Sequence, residues 1–172
     1  MDKLIFIYDK LMTAKEQAIA SLDLKFVTYG QIRGKLYFLN DDKRRRVFAV
    51  PHKGNSTKLV YGGLFILKNY EEQQYKLHAY YNNSEVFTGF TYKEDLFGLE
   101  SVTVTPIRFN SLSDIESGRY EKKDAVECEC FMGNLPNKKI QNSIQRGRYY
   151  RVNNVDAKNF IQMVKDRKED NE

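Results

Sequence analysis

The sequence predicts an α+β domain built on a mixed, partly closed β-barrel-like sheet with a few flanking helices. Three observations carry this. Leu4-Ile5-Phe6-Ile7 is a continuous apolar run of the kind found in a strand buried on both faces. Most other β-branched and aromatic residues fall in short runs bounded by glycine or polar turns. Helical spacing occurs only in single segments between those runs, which is an α+β pattern.

The elements follow in order. After the first strand comes a tight loop, Tyr8-Asp9-Lys10-Leu11. Thr13 and Glu16 then stand at capping-box spacing, with Ala14, Ala18 and Leu22 at helical intervals. Strands are expected at 31–39, 46–50 and 58–67, separated by Asn40-Asp41-Asp42-Lys43 and Lys53-Gly54-Asn55-Ser56, as an antiparallel meander. Gly62-Gly63 inside the third of these signals a bulge or a close backbone approach. A helix is expected over 69–81: Asn69 can cap it, and Tyr70, Gln74, Leu77 and Tyr81 share one face. Residues 82–100 carry Phe87, Phe90, Tyr92 and Phe97 among turn signals, and read as a lid or insertion. Two more strands, 101–109 and 125–132, flank a polar connection. A short helix at 138–145 and a closing helix at 155–164 complete a single domain over 1–165. Residues 166–172 are polar and expected to fray.

Composition narrows the function classes. A 41% hydrophobic share over 172 residues supplies one core, and 13% aromatic content argues against disorder. No apolar run is long enough to span a bilayer, and the N-terminus lacks the features of a signal peptide, so a soluble cytoplasmic protein is expected, with no membrane partner. The net charge of +5 permits contact with anions without demanding it. Cys128 and Cys130 point to the same face of a strand, too far apart for a comfortable disulfide, and with only His52 and His78 available no metal site is expected. They read as small buried hydrophobes in a reducing compartment. Nothing resembles a phosphate-binding glycine loop or a nucleophile elbow, and no cofactor is expected.

Several segments, in order, resemble one family. Ile5-Phe6-Ile7-Tyr8-Asp9-Lys10-Leu11-Met12 is similar to the opening strand and Tyr-Gly-Thr-Leu-type loop of gamma-glutamylcyclotransferase-like proteins. Gly34-Lys35-Leu36-Tyr37 matches their Gly-x-Leu-Tyr pattern, and Val60-Tyr61-Gly62-Gly63-Leu64-Phe65-Ile66-Leu67 their Val-x-Gly-x-Val-Tyr-x-Leu strand. Leu77-His78-Ala79-Tyr80-Tyr81 stands where the family has Leu-Asp-x-x-Glu. The stretch from Ala125 to Phe131, with Arg146-Gly147-Arg148-Tyr149 after it, resembles the last strand and closing element. The resemblance runs from about residue 4 to 150, interrupted at 82–100.

The resemblance implies a chemistry and also its loss. Family enzymes release 5-oxoproline when the α-amine of a gamma-glutamyl substrate attacks its own γ-carbonyl, a reaction helped by proximity. Backbone amides of the opening loop grip the substrate carboxylate, and the glutamate moves the protons. Here Tyr81 takes the glutamate position, and a phenol that titrates near pH 10 is a poor base at neutral pH. Losing a positioned base costs about 10²- to 10⁴-fold. Glu85 lies four residues further on, a substitute base separated from the helix by turn-like residues. Asp9 replaces the loop glycine and would repel an anionic substrate, which Lys10 would offset. The expected protein is therefore non-catalytic and binds a small molecule or a partner protein through Tyr8, Asp9, Lys10, Leu11 and Tyr81. An inhibitor or sequestering protein, such as a virus makes against its host, fits that description. The alternatives are an active cyclotransferase and a nucleic-acid-binding protein.

The third alternative draws on Lys43-Arg44-Arg45-Arg46, which suits phosphate contact but also a solvated hairpin turn, the favoured reading. Tyr29, Tyr37 and Tyr61 suit base stacking or ordinary strand packing. Arg146, Arg148, Tyr149, Tyr150 and Arg151 suit an anion or protein contact, or simply a surface strand. His78 and His52 read as structural.

Overall fold

In the computed structural model, which describes residues 1–39, 46–51, 59–82, 97–133, 149–151 and 156–170, strand β1 (Lys3–Ile7) is buried on both sides. Its period of two sends Ile5 and Ile7 to one face and Phe6, followed by Tyr8, to the other. The two faces belong to separate cores. Phe6 and Tyr8 meet Ile32, Val60, Leu64, Val104, Cys130 and Met132, side chains that come from every strand of a ring and fill its lumen. Ile5 and Ile7 meet Leu77, Phe160 and Val164, which come from helices laid against the outside.

The ring has β2 (Leu24–Leu39) beside β4 (Leu59–Leu67), then β1, β7 (Val126–Gly133) and β5 (Phe97–Arg108). It closes where β5 returns to β2 through Tyr29↔Ile107, Gly30↔Pro106 and Gln31↔Thr105. The β1–β7 pair is parallel, with rungs Ile5↔Glu129 and Phe6↔Cys130, and the other pairs of the ring are antiparallel. The sheet is thus mixed and its barrel closed. Gly62 and Gly30 face each other across β4 and β2. The close approach expected at Gly62 is present, since a Cβ there would meet the Ile7 carbonyl oxygen. The register shift lies elsewhere, between Phe26 and Thr28 of β2.

The expected meander is corrected. β3 (Arg46–Pro51) pairs with Gly34–Leu39 of β2, and β4 pairs with Leu24–Arg33, so β2 and not β3 is the shared strand. At 16 residues, β2 is long enough to serve both. β6 (Glu121–Lys122) extends β5, and β8 (Tyr149–Arg151) pairs with the far end of β2.

Among the helices, α1 (Ala14–Ile19) follows a 3-10 turn at Lys10–Met12. Thr13 Oγ1 accepts from the Glu16 amide at 3.4 Å, the cap that the spacing predicts. It also donates to the Lys10 carbonyl at 2.8 Å. Thr13→Ala should lower unfolding stability by about 1 kcal/mol, seen as a lower urea midpoint with an unchanged slope; no shift would mean that the cap is redundant. Glu16 turns its carboxylate to α2 (Tyr70–Asn82), accepting from Tyr80 Oη at 3.0 Å. Asn69 precedes α2 in the left-handed region, φ 50°, which asparagine tolerates. Its backbone amide donates to Asp2 Oδ1 at 3.3 Å. The polar connection holds α3 (Ser113–Ser117), which ends on Gly118 at φ 73°.

The closing helix α4 (Asp156–Asp170) buries Phe160, Met163 and Val164. It runs on through residues 166–170 of the polar stretch read as a tail, while 171 and 172 lie outside the described residues. The reason is Arg167, whose guanidinium stacks 3.8 Å from the Phe26 ring centroid and fastens the last turn to the barrel. Residues 97–100 of the expected insertion are strand, whereas 83–96 and the helix expected at 138–145 lie outside the described residues. No helix among the described residues is long and apolar enough to cross a membrane.

Candidate functional site

The site forms where β1 leaves the barrel and the C-terminal end of α2 comes down beside it. Tyr8 ends the apolar run, and its phenol donates to the Phe131 carbonyl of β7 at 2.7 Å. That bond pins the loop start across the parallel seam. Asp9 then turns the chain, its Oδ1 accepting from the Leu11 amide at 3.1 Å as the cap of the 3-10 turn. Its backbone is extended, φ −112° and ψ −167°, so this loop needs no glycine conformation at that position.

Leu77 and Tyr81, one helical turn apart, give α2 its buried face. Tyr81 is 2% exposed, with its ring stacked on Phe131 at 4.7 Å and 13° and set edge-on to Tyr80 at 5.2 Å. Its Oη donates to Asp9 Oδ1 at 3.2 Å. Burial first, and the Asp9 carboxylate second, push the Tyr81 phenol well above its ordinary value. It remains a neutral donor through the physiological range. Cys130, also fully buried, is pushed up by desolvation, then by Cys128 and Asp9. Cys128 is pushed up to about 12 by burial and then by Glu127. Both thiols are free and inert to ordinary nucleophilic chemistry.

Of the residues singled out by sequence, Tyr8, Asp9, Leu11 and Tyr81 come together and are buried, while Lys10 is exposed. Glu85, Lys43, Arg44, Arg45 and His52 lie outside the described residues, and Arg46 is placed only by its backbone, opposite Leu39. His78 is exposed on α2, its ring 6.3 Å from that of Phe131. Tyr29 and Tyr61 pack against Phe160 at 5.3 and 5.6 Å. Phe131 is the member that sequence reading missed. It looks like any other apolar strand residue, yet its ring carries Tyr81 and its carbonyl holds Tyr8. Among the described residues no group of three or more His, Cys, Asp and Glu side chains is placed to hold a metal ion.

No family model and no curated protein matches the sequence. Solved structures do match. An uncharacterized protein from Homo sapiens has a TM-score of 0.50 and 11% identity over 78% of this chain and 68% of its own. An AIG2-like protein from Mus musculus has a TM-score of 0.50 and 11% identity over 80% and 81%. A gamma-glutamyl cyclotransferase has a TM-score of 0.45 and 11% identity over 78% and 68%. Identity this low speaks to architecture alone, and the two structures at a TM-score of 0.50, one of them the AIG2-like protein, share the closed mixed barrel with outer helices, the gamma-glutamylcyclotransferase-like fold.

Proposed function

We propose that this chain is a non-catalytic protein of gamma-glutamylcyclotransferase-like fold, which acts by binding a small molecule or a partner protein. One observation carries the reading: Asp9 Oδ1 accepts both from the Leu11 amide and from the Tyr81 phenol. In enzymes of this kind, amides of that loop grip the substrate carboxylate, and a glutamate at the end of the helix moves protons. Here a carboxylate of the chain itself engages the loop amide, and the helix supplies a protonated phenol. Among the described residues the Leu11 amide is thus already engaged, and the helix end offers a phenol that stays protonated where the cyclisation needs a base. A binding role of this kind suits an inhibitor or a sequestering protein.

The test is release of 5-oxoproline from gamma-glutamyl amines and gamma-glutamyl dipeptides by purified protein. The expected result is no release above the uncatalysed rate. Turnover that disappears in Tyr81→Phe or Glu85→Gln would overturn the reading and make the chain an active cyclotransferase.

A further inference from the structure

A second candidate site lies away from the Asp9–Tyr81 pair, against the outer wall of the barrel. A cavity of about 230 Å³ sits between α1, the last turns of α4, and strands β2 and β4. Met12, Leu24, Phe26 and Phe65 give it apolar walls, and Gln17 and Arg167 are its polar lining. Met12 and Phe65 are fully buried, so those walls belong to the core and are not loose surface side chains.

Arg167 is held from two sides. Its guanidinium stacks 3.8 Å from the Phe26 centroid, and Nη1 donates to Tyr29 Oη at 2.9 Å. Gln17 is also fixed, its Nε2 donating to the Leu11 carbonyl at 2.9 Å. Among the described residues no carboxylate pairs with Arg167. A guanidinium has more donors than the one bond to Tyr29 consumes. The arrangement is therefore a preorganised cation beside a hollow of mixed polar and apolar walls, with no ion-pair partner among the described residues.

We infer that this cavity binds a small organic carboxylate bearing an aliphatic or aromatic group. The planar fork of Arg167 matches a carboxylate in two parallel hydrogen bonds. The hydrocarbon part would lie against Leu24 and Phe26, the partly exposed members of the apolar wall, with Met12 and Phe65 behind them. A cationic ligand would be repelled, and a phosphate, with more charge than a carboxylate, would meet a single cation. The volume falls below the roughly 300–1,000 Å³ typical of drug-sized ligands, which points to a small acid. The inference does not rest on the reading of the Asp9–Tyr81 pair, and 5-oxoproline release would not bear on it.

The experiment is calorimetric titration of the full chain with phenylacetate and hexanoate, and with phenylacetamide and hexanamide as neutral isosteres. The acids should bind saturably at one site, with the amides at least about tenfold weaker. Arg167→Lys, which keeps the charge but loses the fork, should weaken acid binding by about tenfold. Ala14→Trp, placed at the cavity wall on an exposed position of α1, should abolish binding while leaving Arg167 and the thermal melting of the protein in place. Equal binding of acids and amides would overturn the inference, as would no saturable binding of either at millimolar concentrations. Acid binding that survives both substitutions would overturn it too.

Discussion

Tyr81→Ala is expected to destabilise the protein by about 3–5 kcal/mol, the range for deleting a large buried ring. That is a large share of the roughly 5–15 kcal/mol by which a domain is stable. The ring is 2% exposed and stacked flat on Phe131, so its loss leaves a cavity between α2 and β7. Tyr81→Phe separates the hydroxyl from the ring. It keeps the stack and removes one donor from the buried Asp9 carboxylate, which should cost about 1–3 kcal/mol. Urea unfolding at neutral pH measures both. If alanine costs under about 1 kcal/mol, the stack is not formed in solution. If phenylalanine costs nothing, the bond to Asp9 contributes nothing either. The sign of the pH dependence also follows. The folded-state phenol is raised above its unfolded value of about 10, so the stability it confers is complete below that pH. It is lost as pH rises from there toward the folded value, and Tyr81→Phe should lose that part of the alkaline sensitivity.

Gly62→Ala should be the other severe substitution. An added Cβ would collide with the carbonyl oxygen of Ile7 and lie 2.7 Å from Phe6 Cζ. A phenyl ring can turn, but the Ile7 carbonyl belongs to the backbone of the strand that β4 pairs with. Overpacking costs typically about 1–3 kcal/mol and occasionally more, and an obstacle made of backbone belongs at the upper end. Gly63→Ala is the control, since its Cβ would chiefly meet the tip of the Phe65 ring at 2.8 Å. Soluble yield and the denaturation midpoint should rank wild type, then Gly63→Ala, then Gly62→Ala. Equal stability of the two variants would show that β1 moves aside freely and that the close approach imposes no constraint.

Much of this was legible in the residues, and the failures have physical causes. The strand at Leu4–Ile7, the Thr13 cap and the buried face of α2 follow from local rules, because each depends on neighbours in sequence. β2 starts at Leu24, seven residues before the expected strand, because Gly30 reads as punctuation. In the folded chain Gly30 sits at the barrel seam, where a Cβ would come within 2.7 Å of Val104 Cγ1. The same residue type marks a turn or a tight approach, and sequence does not say which. The last turn of α4 was hidden because Lys165-Asp166-Arg167 looks like solvent-facing chain. An arginine that covers aromatic rings leaves no apolar signature. The meeting of Tyr8–Leu11 with Tyr81 came from the family resemblance and not from spacing. The bond between Asp9 and Tyr81 was beyond both, since it depends on where a helix end lands relative to a loop.

The parallel seam has a consequence for how the molecule is made. Tyr8 donates to the Phe131 carbonyl across 123 residues of sequence, and β1 meets β7 along only two rungs. A ribosome delivers β1, β2 and β4 well before β7 and β5. Synthesis at about 5–20 residues per second leaves several seconds in between. Until β7 arrives, β4 is the one strand of the ring available to pair with β1, and the lumen that Phe6, Tyr8 and Leu64 fill lacks the side chains of β5 and β7. The nascent chain therefore carries an open strand edge beside bare aromatic surface, the kind of species that associates with its own kind or with a chaperone.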